Sequence, residues 1–240
     1  MKHIIETGTD VATICFFDPA ALPPTFGHAK RDAYEAIAKL AEDNLVWFQE
    51  TGADGAYLFH FYIDEEVPER ILKHSFDPRA IPQMPVPSGA IWACGAEYAA
   101  RNPEQTLERF SRMGGKCSVP PGKYAVTIWR TEWPEAMIEQ ELENLGVRGQ
   151  NRLGVVTSIL FLVMLIGSLI TFLKTLTKAA LNELNNNYAW AWGILILGWT
   201  VCVPLMRKLS KLEKNPKRKQ VEHEFPSIVV QMRPAAPNSK

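Results

Sequence analysis

Charge is missing from two long stretches of this chain. Leu153–Leu173 reads LGVVTSILFLVMLIGSLITFL, Tyr188–Met206 reads YAWAWGILILGWTVCVPLM, and neither holds an Asp, Glu, Lys or Arg. As helices rising about 1.5 Å per residue they would be roughly 31 and 29 Å long, close to a hydrocarbon core of about 30 Å. Both also lack the polar face that a helix on a water-soluble core shows. The expectation is a transmembrane helical hairpin over 151–207, with spans at 153–173 and 188–206. In lipid each run must be helical, because its backbone polar groups find partners only within the segment. The absence of ionisable residues inside the spans removes the usual mark of an ion pathway or proton relay.

Cysteine is scarce. Cys15, Cys94, Cys117 and Cys202 show no CxxC pair and no Cys/His ligand spacing, so reduced, buried thiols are expected. The chain also lacks GxSxG, a P-loop, a GxGxxG after a strand, and HExxH. His3, His28, His74 and His223 are scattered. His60 lies in the strand-like run LFHFYID and reads as a packed or rim residue with no triad partner suggested by motif. Asp64, Glu65 and Glu66 read as a solvated strand end, and Asp10 and Asp18 read the same way. No catalytic, cofactor-binding or metal site is expected, and hence no enzyme. An uninterrupted apolar leader is missing too, since Glu6 and Asp10 interrupt the first residues, so the N-terminal part is expected to stay in the cytosol.

The formal net charge is zero over 240 residues, but the two signs are segregated. Residues 1–150 hold 14 Lys and Arg against 22 Asp and Glu, a net of −8; residues 151–240 hold 12 against 4, a net of +8. An acidic domain of about 150 residues is large enough for its own core. It is a poor ligand for nucleic-acid phosphates and a better one for a basic protein.

Taken in order, Val11–Phe17 is β-branched and aromatic and predicts a strand. Residues 28–43 predict a helix, with Tyr34, Ile37, Leu40 and Ala41 on one face. Leu45–Glu50 and Ala56–Ile63 flank Thr51–Gly55, which carries two glycines; the favoured reading is a hairpin, the alternative a helix running on to a Gly52 cap. Prolines 68, 78, 82, 85 and 87 mark an ordered loop or edge crossing, with a helical turn at Glu69–His74. Ser88–Cys94 predicts a short strand, and Pro103–Arg112 a short helix. Lys116–Val119 and Lys123–Arg130 predict strands about a type II turn at Pro121-Gly122. Pro134–Leu145 predicts an acidic helix. The fold class expected is therefore α+β: an antiparallel, β-rich, sandwich-like domain over 1–150, then the two-helix transmembrane hairpin, then a basic tail over 208–240. Within that tail, 225–232 alternates apolar and polar residues and predicts a strand returning to the edge of the sheet.

Small residues at four-residue spacing suit close helix packing: Gly154 with Ser158, Gly167 with Thr171, Ala189 with Gly193. They point to a packed hairpin or a homo-oligomer. Arg207, Lys208, Lys211, Lys214, Lys217, Arg218 and Lys219 follow the second run, opposed by Glu213 alone. Beside a membrane such a cluster holds anionic lipid headgroups, at about 1 kcal/mol per basic residue. Equally, it can serve only to set topology. Counting basic residues on either side of the runs places both termini in the cytosol and the protein in the inner membrane as a multi-pass chain.

The succession strand, TGADG turn, proline-rich crossing, VPSGAIWACGAEY and SVPPGKYAVTIWR resembles the small β-sandwich domains of bacterial toxin-immunity proteins. The shared ending is Pro121, Gly122 and Tyr124. The resemblance covers the first half of the chain and implies no site residues. It implies a non-enzymatic binding protein, here expected to be membrane-anchored, that neutralises a secreted toxin, and the acidic charge points to a basic one. The alternative is an oligomeric membrane effector that permeabilises the bilayer. In the first reading Trp47, Trp92, Trp129 and Trp133 are candidate anchors for the partner.

Overall fold

The computed structural model describes residues 1–24, 26, 33–145, 166–167 and 216–236. Contacts divide the chain into two compact units: Met1–Pro134 together with His223–Lys240, and Glu135–Glu222. The first unit is β-rich. Its strands are β1 (Lys2–Thr9), β2 (Thr13–Phe17), β3 (Val46–Glu50), β4 (Gly55–Ile63), β5 (Ser75–Val86), β6 (Ala90–Gly95), β7 (Gly114–Ser118), β8 (Gly122–Thr131) and β9 (Ile228–Pro234). Three short helices accompany them: α1 (Ala33–Glu42), α2 (Glu69–Leu72) and α3 (Pro103–Leu107). The second unit contributes α4 (Glu135–Asn144) and α5 (Pro216–Glu222), which run against each other.

The strands form two sheets. One has five strands in the order β1-β4-β9-β8-β5, the other four in the order β3-β2-β6-β7. Every pairing is antiparallel except β4 with β9, which is parallel. Alternation places Phe59, Phe61 and Ile63 of β4, Tyr124, Val126 and Ile128 of β8, and Ile228, Val230 and Met232 of β9 on one face. They meet Ile14, Phe16, Trp47, Ile91 and Ala93 of the smaller sheet in one buried cluster. The result is a sandwich whose middle is aromatic. Phe16 stacks on Trp47 at 5.2 Å and meets Phe61 edge-on at 5.5 Å across the sheets. On the far side of the smaller sheet, Cys15, Phe17 and Cys94 pack with Ile37 and Leu40 of α1.

Several expectations change in space. The runs around TGADG are strands, but they do not pair: β3 belongs to the smaller sheet and β4 to the larger. The turn carries the chain between layers, and Trp47 then faces Phe59 across the interior at 6.1 Å. The strands about Pro121-Gly122 likewise separate, β7 joining β6 and β8 joining β5 and β9. Gly122 opens β8 and is not among the glycines with positive φ, so it does not hold the second central position of a type II turn. The proline-rich stretch is strand β5, with Pro78, Pro82 and Pro85 at the edge of the larger sheet, where a missing N–H is tolerated. β9 lies between β4 and β8, in the interior of the sheet and not at its edge. β1 escaped the sequence reading, although Ile4, Ile5, Thr7 and Thr9 are strand-forming residues. It crosses close over β7, and a Cβ at Gly8 would meet Sδ of Met113, the residue just before that strand, at 2.8 Å.

The structure does not support the expected transmembrane hairpin or, with it, the multi-pass inner-membrane placement. Among the described residues no helix is long and apolar enough to cross a membrane. The longest, α1 and α4, have 10 residues each. That is about 15 Å, half of what a bilayer core needs. The runs 153–173 and 188–206 lie outside the described residues except for Ile166 and Gly167, which are helical, Ile166 being exposed.

Residues 135–222 interrupt the chain between β8 and β9, which are neighbours paired from Tyr124–Pro234 to Arg130–Ile228. Replacing 135–222 by a short Gly/Ser linker should therefore leave the first unit folded, whereas truncation at residue 222 should unfold it by removing β9. Circular dichroism and thermal melts of the two variants check this. Phe16→Ala should cost about 3–5 kcal/mol in denaturant unfolding, since a fully buried ring is lost between two sheets.

Candidate functional site

The turns at one end of the sandwich line an open cavity of about 470 Å³. Val11, Ala12 and Thr13 supply one wall, Glu50 and Gly52 a second, and Ile37 of α1 with Ala96 and Glu97 the rest. All of these residues belong to the first unit. Val11 is 53% exposed, a large apolar side chain left out of the core.

The local sequence makes this rim rigid. Thr9, almost fully buried at the end of β1, is a hub. Its Oγ1 accepts from the Val11 and Thr13 amides at 3.1 and 3.2 Å and donates to Glu97 Oε2 at 3.2 Å. The other Glu97 oxygen accepts the Asp10 amide at 2.6 Å. Ala12 takes φ 51°, a left-handed conformation that costs a non-glycine residue energy. Two bonds to the next turn hold it there: the Ala12 amide donates to Asp54 Oδ1 at 2.9 Å, and the Thr51 amide to the Ala12 carbonyl at 2.8 Å. Gly52, with φ 75°, lets that turn close. The Tyr98 hydroxyl donates to Asp10 Oδ2 at 3.0 Å. Burial, that hydrogen bond and the charges of Asp10 and Glu97 push the Tyr98 phenol up to about 12, so it remains a donor at neutral pH.

An apolar wall that includes the carboxylates of Glu50 and Glu97 can take an aliphatic stem with a cationic or N–H-bearing tip. The turn carboxylates have structural duties: Glu97 uses both oxygens on β1 and its turn, and Asp54 fastens Ala12. Such groups are positioned to accept hydrogen bonds.

The residues singled out from sequence lie elsewhere. Arg207, Lys208, Lys211 and Lys214 lie outside the described residues, as do Gly154, Ser158, Thr171, Ala189 and Gly193. Gly167 is described within its helical pair. Lys217, Arg218 and Lys219 stand on α5, beside the acidic α4, and Arg218 Nε pairs with Glu222 at 2.8 Å. Of the candidate aromatic anchors, Trp47 and Trp92 are buried and Trp129 and Trp133 are partly buried against the outer face of the larger sheet. Tyr124, part of the quoted resemblance, is interior and donates its hydroxyl to the Pro120 carbonyl at 2.6 Å, a structural role. The cavity residues escaped notice because turns from β1–β2, β3–β4 and the segment after β6 meet only in space. The signal present was Val11, an apolar residue in a polar turn beside the two-glycine TGADG.

No family model matches the chain, and no curated protein matches it. Among solved structures it is similar to one described as crocagin biosynthetic gene J, at 19% identity and a TM-score of 0.41, covering 55% of this chain and 79% of that one. A likeness of that size carries no argument about function.

Glu97→Ala should strip two hydrogen bonds from the rim and cost about 1–3 kcal/mol. Hydrogen exchange at residues 9–13 should accelerate while β8 stays protected.

Proposed function

We propose that this chain is a non-enzymatic polypeptide-binding protein, most concretely an immunity protein that neutralises a basic secreted toxin. The observation that carries the reading is the rigid cavity beside Val11, with its apolar wall and acidic rim. A preformed site loses little conformational entropy when a partner docks. The net charge of −8 over residues 1–150 supports a basic partner, because such a field speeds encounter more than it deepens affinity. Binding is favoured over catalysis because the carboxylates of Glu97 and Asp54 are committed to holding the rim.

The test is titration of the full chain with the polypeptide encoded beside it, at low and high salt. Val11→Arg, at an exposed position, places a cation in the cavity mouth. It should weaken binding by tenfold or more, about 1.4 kcal/mol, and wild-type association should slow as salt rises. Equal binding by wild type and Val11→Arg would reject the cavity as the docking site.

A further inference from the structure

Residues 223–227 form a strap that leads into β9 and lies on the outer face of the larger sheet. His60 of β4 points to that face, opposite to Phe59 and Phe61, and is completely buried. Its Nε2 donates to the His223 carbonyl at 2.8 Å. A carbonyl only accepts, so Nε2 carries the proton and Nδ1 is the bare nitrogen of a neutral ring. Nδ1 is buried with no partner among the described residues. Further along the strap, Phe225 meets Trp133 edge-on at 5.0 Å, Trp133 Nε1 donates to the Pro226 carbonyl at 2.9 Å, and the Ser227 amide donates to the Leu58 carbonyl at 2.8 Å. Trp133 directly precedes Pro134, so the strap ties together the two places where the chain leaves and re-enters the first unit.

A second proton on His60 would need a counter-ion. The charged and titratable groups around it are Lys2 and Glu6 on β1, Tyr62 on β4, Glu65 after β4, Arg70 on α2, and His223 and Glu224 on the strap. Their carboxylates are engaged. Glu6 meets His223 Nε2 at 2.5 Å, Glu65 holds the N-terminal ammonium at 2.7 Å, and Glu224 meets Arg70 at 3.5 Å. Lys2 adds a like charge. The Nε2–H bond to the His223 carbonyl survives a second proton and by itself favours the charged ring; what opposes acid is burial of that charge at the unpartnered Nδ1 and the nearby Lys2 ammonium.

We infer that the strap is an acid-released latch, closed by neutral His60 and opened when that ring takes a second proton, freeing the C-terminal root of the inserted residues 135–222. The direction follows from the cost of burying the charged ring. Burial first, and the Lys2 charge second, push His60 down to about 4, against about 6.5 for an exposed imidazole. The open form therefore binds more protons than the closed form between those values. Latch stability is complete above about pH 6.5 and falls as pH drops toward about 4.

The experiment is hydrogen exchange of the full chain at pH 7 and pH 5, corrected for intrinsic exchange. The peptide over 223–227 should open roughly twentyfold more often at pH 5, with β2 unchanged. His60→Gln keeps a donor and cannot titrate, so its strap should show no such acceleration; His223→Gln should retain it. The latch is rejected if the wild-type strap is equally protected at both pH values, or if acceleration persists in His60→Gln or vanishes in His223→Gln. Should His60→Gln fail to fold, nuclear magnetic resonance titration of wild-type His60 decides instead: a midpoint well below 6.5 supports the latch, and one near 6.5 overturns it.

Discussion

β9 occupies the middle of the larger sheet, between β4 and β8, yet it comes from the far end of the chain, after residue 222. Remove it and β4 and β8 each become an open edge, while Ile228, Val230 and Met232 leave the core together. Its parallel pairing with β4 cannot form by a tight hairpin and demands a long connection. Closing that connection costs loop entropy before any contact repays it. The strap contacts at Trp133, Phe225 and His60 sit where the inserted residues leave β8 and rejoin β9, so they hold the register that this topology requires.

The two layers are joined by large rings more than by polar contacts. Phe16 and Trp47 from one sheet and Phe59 and Phe61 from the other form one interior cluster with both stacked and edge-on geometries. Polar groups inside are handled locally. Asp18, fully buried, accepts from the Ala20 amide, the Ser88 amide and the Ser88 hydroxyl at 2.7 to 2.8 Å, fastening the end of β2 to the start of β6. At the edge of the larger sheet, the β5 prolines and two register shifts discourage pairing with another chain. The same economy of local contacts produces the cavity rim, where Thr9 and Glu97 stiffen a turn that exposes Val11.

Strand positions were largely legible because alternation is a local property. The runs ending at Phe17, beginning near Val46 and Ala56, and following Lys123 all became strands close to where composition placed them. Their partners were not legible. Two glycines between β3 and β4 suit a hairpin as well as they suit a crossing between layers, and only the face-to-face fit of Trp47 with Phe59 favours the crossing. The cavity was hidden for the same reason, since Val11, Glu50 and Glu97 are far apart in sequence and converge through pairings that no short window contains. His60 was readable as a packed histidine, but its acceptor, the His223 carbonyl, lies 163 positions away.

By itself the sequence determined the β-rich character of the first unit, because β-branched and aromatic residues at period two make strands wherever one face can be buried. It also determined the segregation of negative charge before residue 150 and positive charge after it. Tertiary structure alone decided which strands pair, that β9 is central, and that three separate turns line one cavity. The reason is physical: side-chain alternation sets which face of a strand is buried, whereas pairing is chosen by packing between layers and by closure of long connections, which depend on the whole chain at once.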